Sequence, residues 1–389
     1  MALRIAKFDG SLALVGDEQE LPYERPALSK EYLAGDKAFE KLYLRPASWW
    51  AERNVTLRLG HRVTAVDAAA HTVTLDDGST LAYGTLVWST GGSPRRLACS
   101  GHDLAGVHTV RNRADVDLLK GELDATTTAA VIGGGYIGLE AAAVLRKLGK
   151  KVVLFEAMDR VLARVAGEPL SRWFEEEHRR QGVEIRLDAK VACIEEKDGR
   201  AVGVRLEDGE VIPAEMVIVG IGIVPAVEPL LAAGASGDAG GVKVDLHGKT
   251  SLPDVYALGD CAAHENVHAR GATIRLESVQ NANDQAQAVA LAILGRPETY
   301  AAVPWFWSNQ YDLRLQTVGL SAGHDDTIVR GSPENRSFSV VYLREGKVIA
   351  LDCVNLTKDY VQGKALIVSG KIVPREQLGD PSVLLKTLA

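Results

Sequence analysis

The stretch Val131-Ile132-Gly133-Gly134-Gly135-Tyr136-Ile137-Gly138 constrains this chain more than any other, because it turns a buried strand into a helix N-terminus with no side chain in the way. Ala129 to Ile132 is a short apolar run, the pattern of a strand buried on both faces. From Leu139 the apolar positions Leu139, Ala142, Ala143, Leu145 and Leu148 recur with helical spacing, and Gly149 stands where a C-terminal glycine cap belongs. Gly133 permits the tight turn, Gly135 lets backbone approach a pyrophosphate, and Gly138 lets helix and strand pack closely. The free N–H groups and dipole of such a helix hold phosphate. The next strand, Lys151 to Phe155, ends in Glu156, an acid about 20 residues past the first glycine, where it meets a ribose. A carboxylate there accepts both ribose hydroxyls and repels a 2′-phosphate, so NADH is expected over NADPH. Arg160, four residues on, is the one nearby cation that could reach a phosphate.

With 389 residues the chain is too long for one core, and two or three domains are expected. No apolar run approaches the roughly 20 residues of a membrane span, and no basic region followed by an apolar one opens the sequence. A cytoplasmic protein without a membrane partner is expected. The net charge of −7 argues against a general nucleic-acid binder. Cys99, Cys193, Cys261 and Cys353 are scattered singly, with no C-x-x-C or C-x₄-C pair for a redox disulfide or a metal clip, so packing roles are expected. His61, His71, His102, His178 and His264 show no ligand spacing and read as surface or packing residues. No metal is expected.

Ala2 to Phe8 reads as the last two turns of a helix closed by Asp9-Gly10, and Ser11 to Val15 as a strand followed by Gly16-Asp17-Glu18. This is the second half of a dinucleotide-binding βαβ unit. Its first strand and glycine loop, on the order of 15 to 20 residues, are expected ahead of Met1, and flavin binding without them is expected to be weak. Pro22 to Lys30 reads as a proline-bounded loop, and Glu31 to Ala34 as helical. Alternating strands follow from Thr56 to Leu81 around the turn Asp76-Asp77-Gly78, and Tyr83 to Pro94 reads as a buried strand running into a glycine-proline turn. Met216 to Gly222 is an apolar strand ending in small residues beside a ligand, and Tyr256 to Asp260 a strand whose last carboxylate sits at a loop. Asp284 to Leu294 reads as a strong helix, and the texture turns β-rich from Pro304.

The order and spacing of Leu14-Val15-Gly16-Asp17-Glu18, Arg25-Pro26-Ala27-Leu28-Ser29-Lys30, Gly133 to Glu140, Tyr256 to Asp260, Glu277 to Ala282 and Pro304-Trp305-Phe306-Trp307-Ser308 carry a resemblance. Along its whole length the chain resembles the FAD-containing, NADH-dependent ferredoxin reductases that serve bacterial oxygenases. The resemblance implies an α/β fold of glutathione-reductase-like architecture, with two Rossmann-like dinucleotide-binding domains, for FAD and NAD, and a C-terminal α+β domain. The boundaries expected are 1–106 and 237–303 for the FAD domain, 107–236 for the NAD domain and 304–389 for the C-terminal domain.

Carried over by position, the resemblance places Lys30 near the isoalloxazine, Asp17 or Glu18 near the adenosine ribose and Val63 on the adenine side. Asp260 falls at the ribityl–pyrophosphate region and Val279 against the ring, and Arg25, Thr90, Gly91 and Glu277 belong to the same flavin-binding set. Tyr136, Ile137 and Glu140 fall at the nicotinamide-facing end of the helix, with Arg164 a partner for the NAD phosphates and Gly222 beside the ligand. Trp307 falls at the flavin edge facing the electron acceptor. Lys30, Glu140 and Trp307 are the expected catalytic residues. The implied reaction passes electrons from NADH through FAD to a [2Fe–2S] ferredoxin, since NADH gives electrons in pairs and the cluster takes one. An NADH:rubredoxin or nitrite-reductase-type carrier on the same fold is an alternative, as is a redox-idle nucleotide-binding protein. An acidic reductase that docks an acidic ferredoxin needs a locally basic face, for which Arg296, Arg314, Arg330 and Arg336 are candidates.

Overall fold

The computed structural model describes every residue from Met1 to Ala389, in two units through which the chain passes alternately. Unit 1 contains Met1–Glu24, Leu42–Ser93 and Val224–Trp305; unit 2 contains Arg25–Lys41, Pro94–Ile223 and Phe306–Ala389.

The centre of unit 2 is a parallel sheet in the spatial order Val183–Arg186, Lys151–Phe155, Thr128–Ile132, Met216–Val219, Val107–His108. Its middle strand is buried along Ala129–Ile132, as a two-sided apolar run requires, and pairs in register with both neighbours, Ile132 opposite Phe155 on one side and Val219 on the other. An antiparallel sheet of Val191–Lys197, Arg200–Leu206 and Val211–Pro213 closes one flank, and Ile194, Val204, Leu206 and Ile212 share a core with Ala130, Ile132, Val153, Phe155 and Val217. The C-terminal part is a five-stranded sheet in the order Trp305–Gln310, Leu313–Gly319, Lys347–Val354, Ser337–Arg344, Asp326–Ser332, with the helix Thr357–Ser369 beside it.

The segment Arg25–Lys41, expected in the FAD domain, belongs to unit 2. Charged and aromatic anchors tie it there: Tyr32 Oη donates to Asp117, Lys147 reaches Asp36 at 2.6 Å, and the Arg113 guanidinium lies 4.3 Å over the Phe39 ring. Glu31 to Ala34, expected to be helical, is a run of turns after the short 3-10 helix Arg25–Ala27. Four residues with a proline-led start are too few to nucleate a helix in this setting. For the same reason the opening helix is only Ala2–Ile5.

Unit 1 holds the parallel pair Leu12–Gly16 with Val55–Leu59 and a second parallel pair, Leu86–Trp88 with Val255–Ala257. An antiparallel three-stranded sheet (Val63–Asp67, Thr72–Leu75, Thr80–Ala82) packs Val66, Val73 and Leu75 into a core with Trp88, Leu230, Val242 and Val255. The helix Val279–Ile293 starts five residues before the apolar pattern suggests, because Ser278 caps it by accepting the Asn281 N–H at 3.1 Å.

Candidate functional site

In unit 2, Gly133 has φ +109, a conformation L side chains avoid, and Gly135 is the N-cap of the helix Tyr136–Lys147 with no side chain capping it. A Cβ on Gly138 would stand 2.0 Å from the Gly133 carbonyl, so only glycine lets the helix close onto the turn, whereas a Cβ on Gly135 would meet nothing within 4 Å. Open space in front of uncapped N–H groups at the end of a twelve-residue helix fits a dinucleotide pyrophosphate. Glu156 stands beside it, with Oε2 accepting the Gly134 N–H at 2.7 Å and Oε1 accepting the Met158 N–H at 2.9 Å. Both carboxylate oxygens are thereby fixed at the end of the strand while keeping lone pairs for hydroxyl donors.

Arg164 is exposed, and its Nη2 lies 3.7 Å from where a Cβ on Gly222 would be. Two of the positions singled out in the sequence are thus neighbours. Arg95, which the sequence did not single out, joins them: its backbone N–H donates to Gly222 O at 2.9 Å. Arg160 does not swing toward this crevice, because its guanidinium donates to the carbonyls of Ala163 and Ala166.

At the same end of the helix lies a buried ion pair. Glu140 is 3 % exposed, and its Oε2 accepts from Lys30 Nζ at 2.7 Å and from Ser29 Oγ at 2.6 Å. Lys30 also donates to Pro26 O at 2.9 Å, which fixes the loop that carries it. A buried ammonium and carboxylate are tolerable only when each finds further partners, as here. Ser29 sits inside a sequence motif, yet its role was not legible, since a serine before a lysine has many uses. The Tyr136 ring lies 4.6 Å from that of Phe306, tilted by 34°, and burial together with Asp352 and Glu140 holds its phenol well above the ordinary value. Ile137, by contrast, is 44 % exposed at the helix start, a large apolar side chain left partly uncovered. Trp307 is half-buried, its ring 6.3 Å from that of Phe306, and Arg25 Nη1 donates to Arg111 O.

The other expected flavin residues are in unit 1. Asp17 pairs with Arg62 at 2.6 Å, Glu18 accepts from Tyr23 Oη at 2.5 Å, and Thr90 Oγ1 donates to Ala226 O at 2.7 Å beside Gly91, whose φ is +64. Arg275 bonds both the Asp260 carbonyl, at 2.9 Å, and the Glu277 carboxylate, at 2.6 Å, so these two are set by one cation the sequence did not reveal. Val279, at the start of its helix, is 40 % exposed, and Val63 begins the strand Val63–Asp67. His61 has Asp76 and Asp77 at 3.5 and 3.7 Å in a water-exposed trio. His178 and His264 are buried in hydrogen-bond networks.

The basic docking face needs correction. Arg330 is 3 % exposed and bonded to Asp359, and Arg336 is held by Asp312 and Glu177. Burial beside a carboxylate, which charge in a sequence cannot foretell, takes Arg330 out of any docking surface. Arg314 is exposed, while Arg296, also exposed, donates to Ala6 O within unit 1.

Residues 1–286 match the family described as pyridine nucleotide-disulphide oxidoreductase, and residues 305–389 match reductase C-terminal. The chain is 58 % identical to the 5,5′-dehydrodivanillate O-demethylase ferredoxin reductase subunit of a Sphingobium species, over 99 % of this chain and 94 % of that one. Among solved structures, the ferredoxin reductase for the CYP199A2 system from Rhodopseudomonas palustris is 38 % identical with a TM-score of 0.96, covering 100 % of this chain and 96 % of its own. The covalent putidaredoxin reductase–putidaredoxin complex gives 40 % identity and a TM-score of 0.95, covering 100 % and 94 %. No helix is long and apolar enough to cross a membrane.

Proposed function

The chain belongs to the pyridine nucleotide-disulphide oxidoreductase family, and we propose that NADH reduces its FAD at the end of the helix Tyr136–Lys147 where Lys30 and Glu140 meet. It is a ferredoxin reductase, with FAD and a nicotinamide nucleotide as cofactors and a [2Fe–2S] ferredoxin as partner, of the kind that feeds a P450 or dioxygenase. Its relatives lend no support to the rubredoxin, nitrite-reductase-type or redox-idle alternatives. The family name's disulphide has no counterpart here, since all four cysteines are free thiols and two of them are buried. When bound, the flavin takes an electron pair from the nicotinamide and releases it singly.

The residues' own tasks follow from their chemistry. The uncapped N–H groups after Gly135 hold the pyrophosphate, with Arg164 and Arg95 the cations at Gly222. Glu156 accepts ribose hydroxyls. Ile137 offers an apolar platform for the nicotinamide, and Tyr136, backed by Phe306, borders it. Lys30 brings positive charge to the isoalloxazine while Glu140, 2.7 Å from its ammonium, holds it in place. Asp17, Glu18, Val63, Thr90, Gly91, Asp260, Glu277 and Val279 are the further flavin contacts, and Trp307 faces the acceptor. The cytoplasm, where NADH is at hand, is where we place the protein.

The buried Lys30–Glu140 pair at the glycine-rich helix is the observation that carries this reading. Anaerobic titration of the flavin-loaded protein with NADH should bleach the flavin with one equivalent, and a [2Fe–2S] ferredoxin should restore its colour. Lys30→Met should slow the bleaching about tenfold or more, the worth of one charge-assisted contact. A flavin that stays oxidised under NADH overturns the reading.

Nucleotide choice is tested separately. Glu156→Gln should lower the ratio of kcat/KM for NADH over NADPH about tenfold, since a hydrogen bond to a charged group is worth about 1.5–3 kcal/mol. Gln keeps one acceptor for the Gly134 N–H, so the turn survives. An unchanged ratio removes the role given to Glu156.

A further inference from the structure

Glu140 uses both oxygens. Oε2 takes Lys30 and Ser29, and Oε1 accepts the hydroxyl of Ser308 at 2.6 Å. Behind Ser308 stands a chain of buried polar side chains: Gln310 Nε2 donates to Ser308 Oγ at 3.1 Å, Gln310 Oε1 lies 2.7 Å from His178 Nε2, and Tyr311 Oη lies 2.9 Å from His178 Nδ1. Ser308, Gln310 and His178 are 1 %, 2 % and 0 % exposed, so water does not compete for these bonds.

The direction of the chain follows from proton counting. Ser308 gives its single proton to Glu140, so its lone pair must take an amide proton from Gln310. That turns the Gln310 carbonyl toward His178, whose Nε2 then carries the ring proton and whose Nδ1 accepts from Tyr311. Burial pushes His178 down to about 4, so the neutral ring this order requires is the form present at neutral pH. Each link donates in one sense, toward Glu140, and each strengthens the next by polarisation. Tyr311 is held at φ +56, an unusual conformation for a tyrosine, with its hydroxyl on the histidine. An ion pair kept only for stability needs none of this, because apolar packing of the same volume serves as well or better.

We propose that Ser308, backed by Gln310, His178 and Tyr311, is a positioning residue that fixes the Glu140 carboxylate and through it the Lys30 ammonium, so that the flavin's reduction potential is set in part from the C-terminal region. The proposal rests on the reading above that Lys30 lies at the flavin. Without the Ser308 hydroxyl, Glu140 loses the donor that holds Oε1 and can rotate, Lys30 follows it, and negative charge on the reduced ring is less well stabilised.

The test is the midpoint potential of the bound flavin, measured by dye-coupled anaerobic titration of wild type, Ser308→Ala, Ser308→Thr, Lys30→Met and the Ser308→Ala/Lys30→Met pair. Ser308→Ala should favour the oxidised flavin about tenfold, close to 30 mV for a two-electron couple. Ser308→Thr, which keeps the hydroxyl, should restore the wild-type value. In the Lys30→Met background, Ser308→Ala should add nothing, the non-additivity expected of residues acting through one group. A Lys30→Met shift with no Ser308→Ala shift overturns the positioning role while leaving Lys30 at the flavin. An unmoved potential in Lys30→Met overturns the placement of Lys30 and the proposal with it. Should Ser308→Ala not retain flavin, Ser308→Cys, nearly isosteric and a weaker donor, carries the same comparison.

Discussion

Replacing Arg330 by alanine should destabilise the C-terminal sheet by about 3–5 kcal/mol, because it strands Asp359 as an unpaired buried carboxylate. The guanidinium donates to Asp359 Oδ2 at 2.8 Å and to the carbonyls of Leu378, Asp380, Pro381 and Val383, so one side chain ties the tail to the strand Asp326–Ser332. Ser339 Oγ, 3.1 Å from the same carboxylate oxygen, is too weak a substitute. Urea unfolding measures the loss, and Arg330→Met/Asp359→Leu should recover much of it by removing both charges. Arg314→Glu, at an exposed position, should change stability by no more than about 0.5 kcal/mol. An Arg330→Ala protein as stable as wild type would contradict the account of this pair.

Asp352→Asn should reshape the dependence of stability on pH by about 3–4 kcal/mol between pH 4 and pH 8, since each tenfold change in proton affinity is worth about 1.4 kcal/mol. Asp352 is buried, bonded by Tyr342 Oη at 2.6 Å, and its carboxyl is raised from 3.8 to about 7 by burial, against the smaller opposing pull of that hydrogen bond. A raised carboxyl binds more protons folded than unfolded between those values, so its contribution to stability falls as pH rises from about 4 to 7 and stays low above that. His178 has the opposite sign: lowered from 6.5 to about 4, it binds fewer protons folded, and stability falls as pH drops through that window. In wild type the two slopes offset each other across the shared range. Asparagine keeps an acceptor for Tyr342 and removes the titration, leaving the histidine slope alone. The variant's stability relative to wild type should therefore rise from pH 4 to pH 8, by denaturant unfolding at each pH. A difference that stays flat would mean that Asp352 is ionised throughout.

Much of the nucleotide-binding half was legible because its constraints are local. Gly133, Gly135 and Gly138 lie within six residues and Glu156 follows at the end of the next strand, so spacing alone carries the geometry. Lys30 was singled out only through a resemblance, and the structure adds its partner, a carboxylate 110 residues away. The Ser308–Gln310–His178–Tyr311 chain was not legible, since His178 and Gln310 are 132 residues apart and each alone reads as an ordinary polar residue. Arg330 misled for a related reason. Charge predicts exposure on average, and the exception depends on a partner, Asp359, that only the folded sheet brings near.

The strand Trp305–Gln310 carries more than its sequence suggests, because side chains alternate sides along a strand. Phe306, against Tyr136, Ser308, against Glu140, and Gln310, toward His178, share one side, which leaves Trp305 and Trp307 on the other. Even-numbered positions therefore face Tyr136, Glu140 and His178 and odd-numbered ones face away from them, so the strand behaves as a parity code. Gaining one residue just after Pro304 would put the Trp307 indole where Glu140 expects a hydroxyl, losing one would put the Asn309 amide there, and grafting this region between relatives has to preserve the odd–even count as well as the residues.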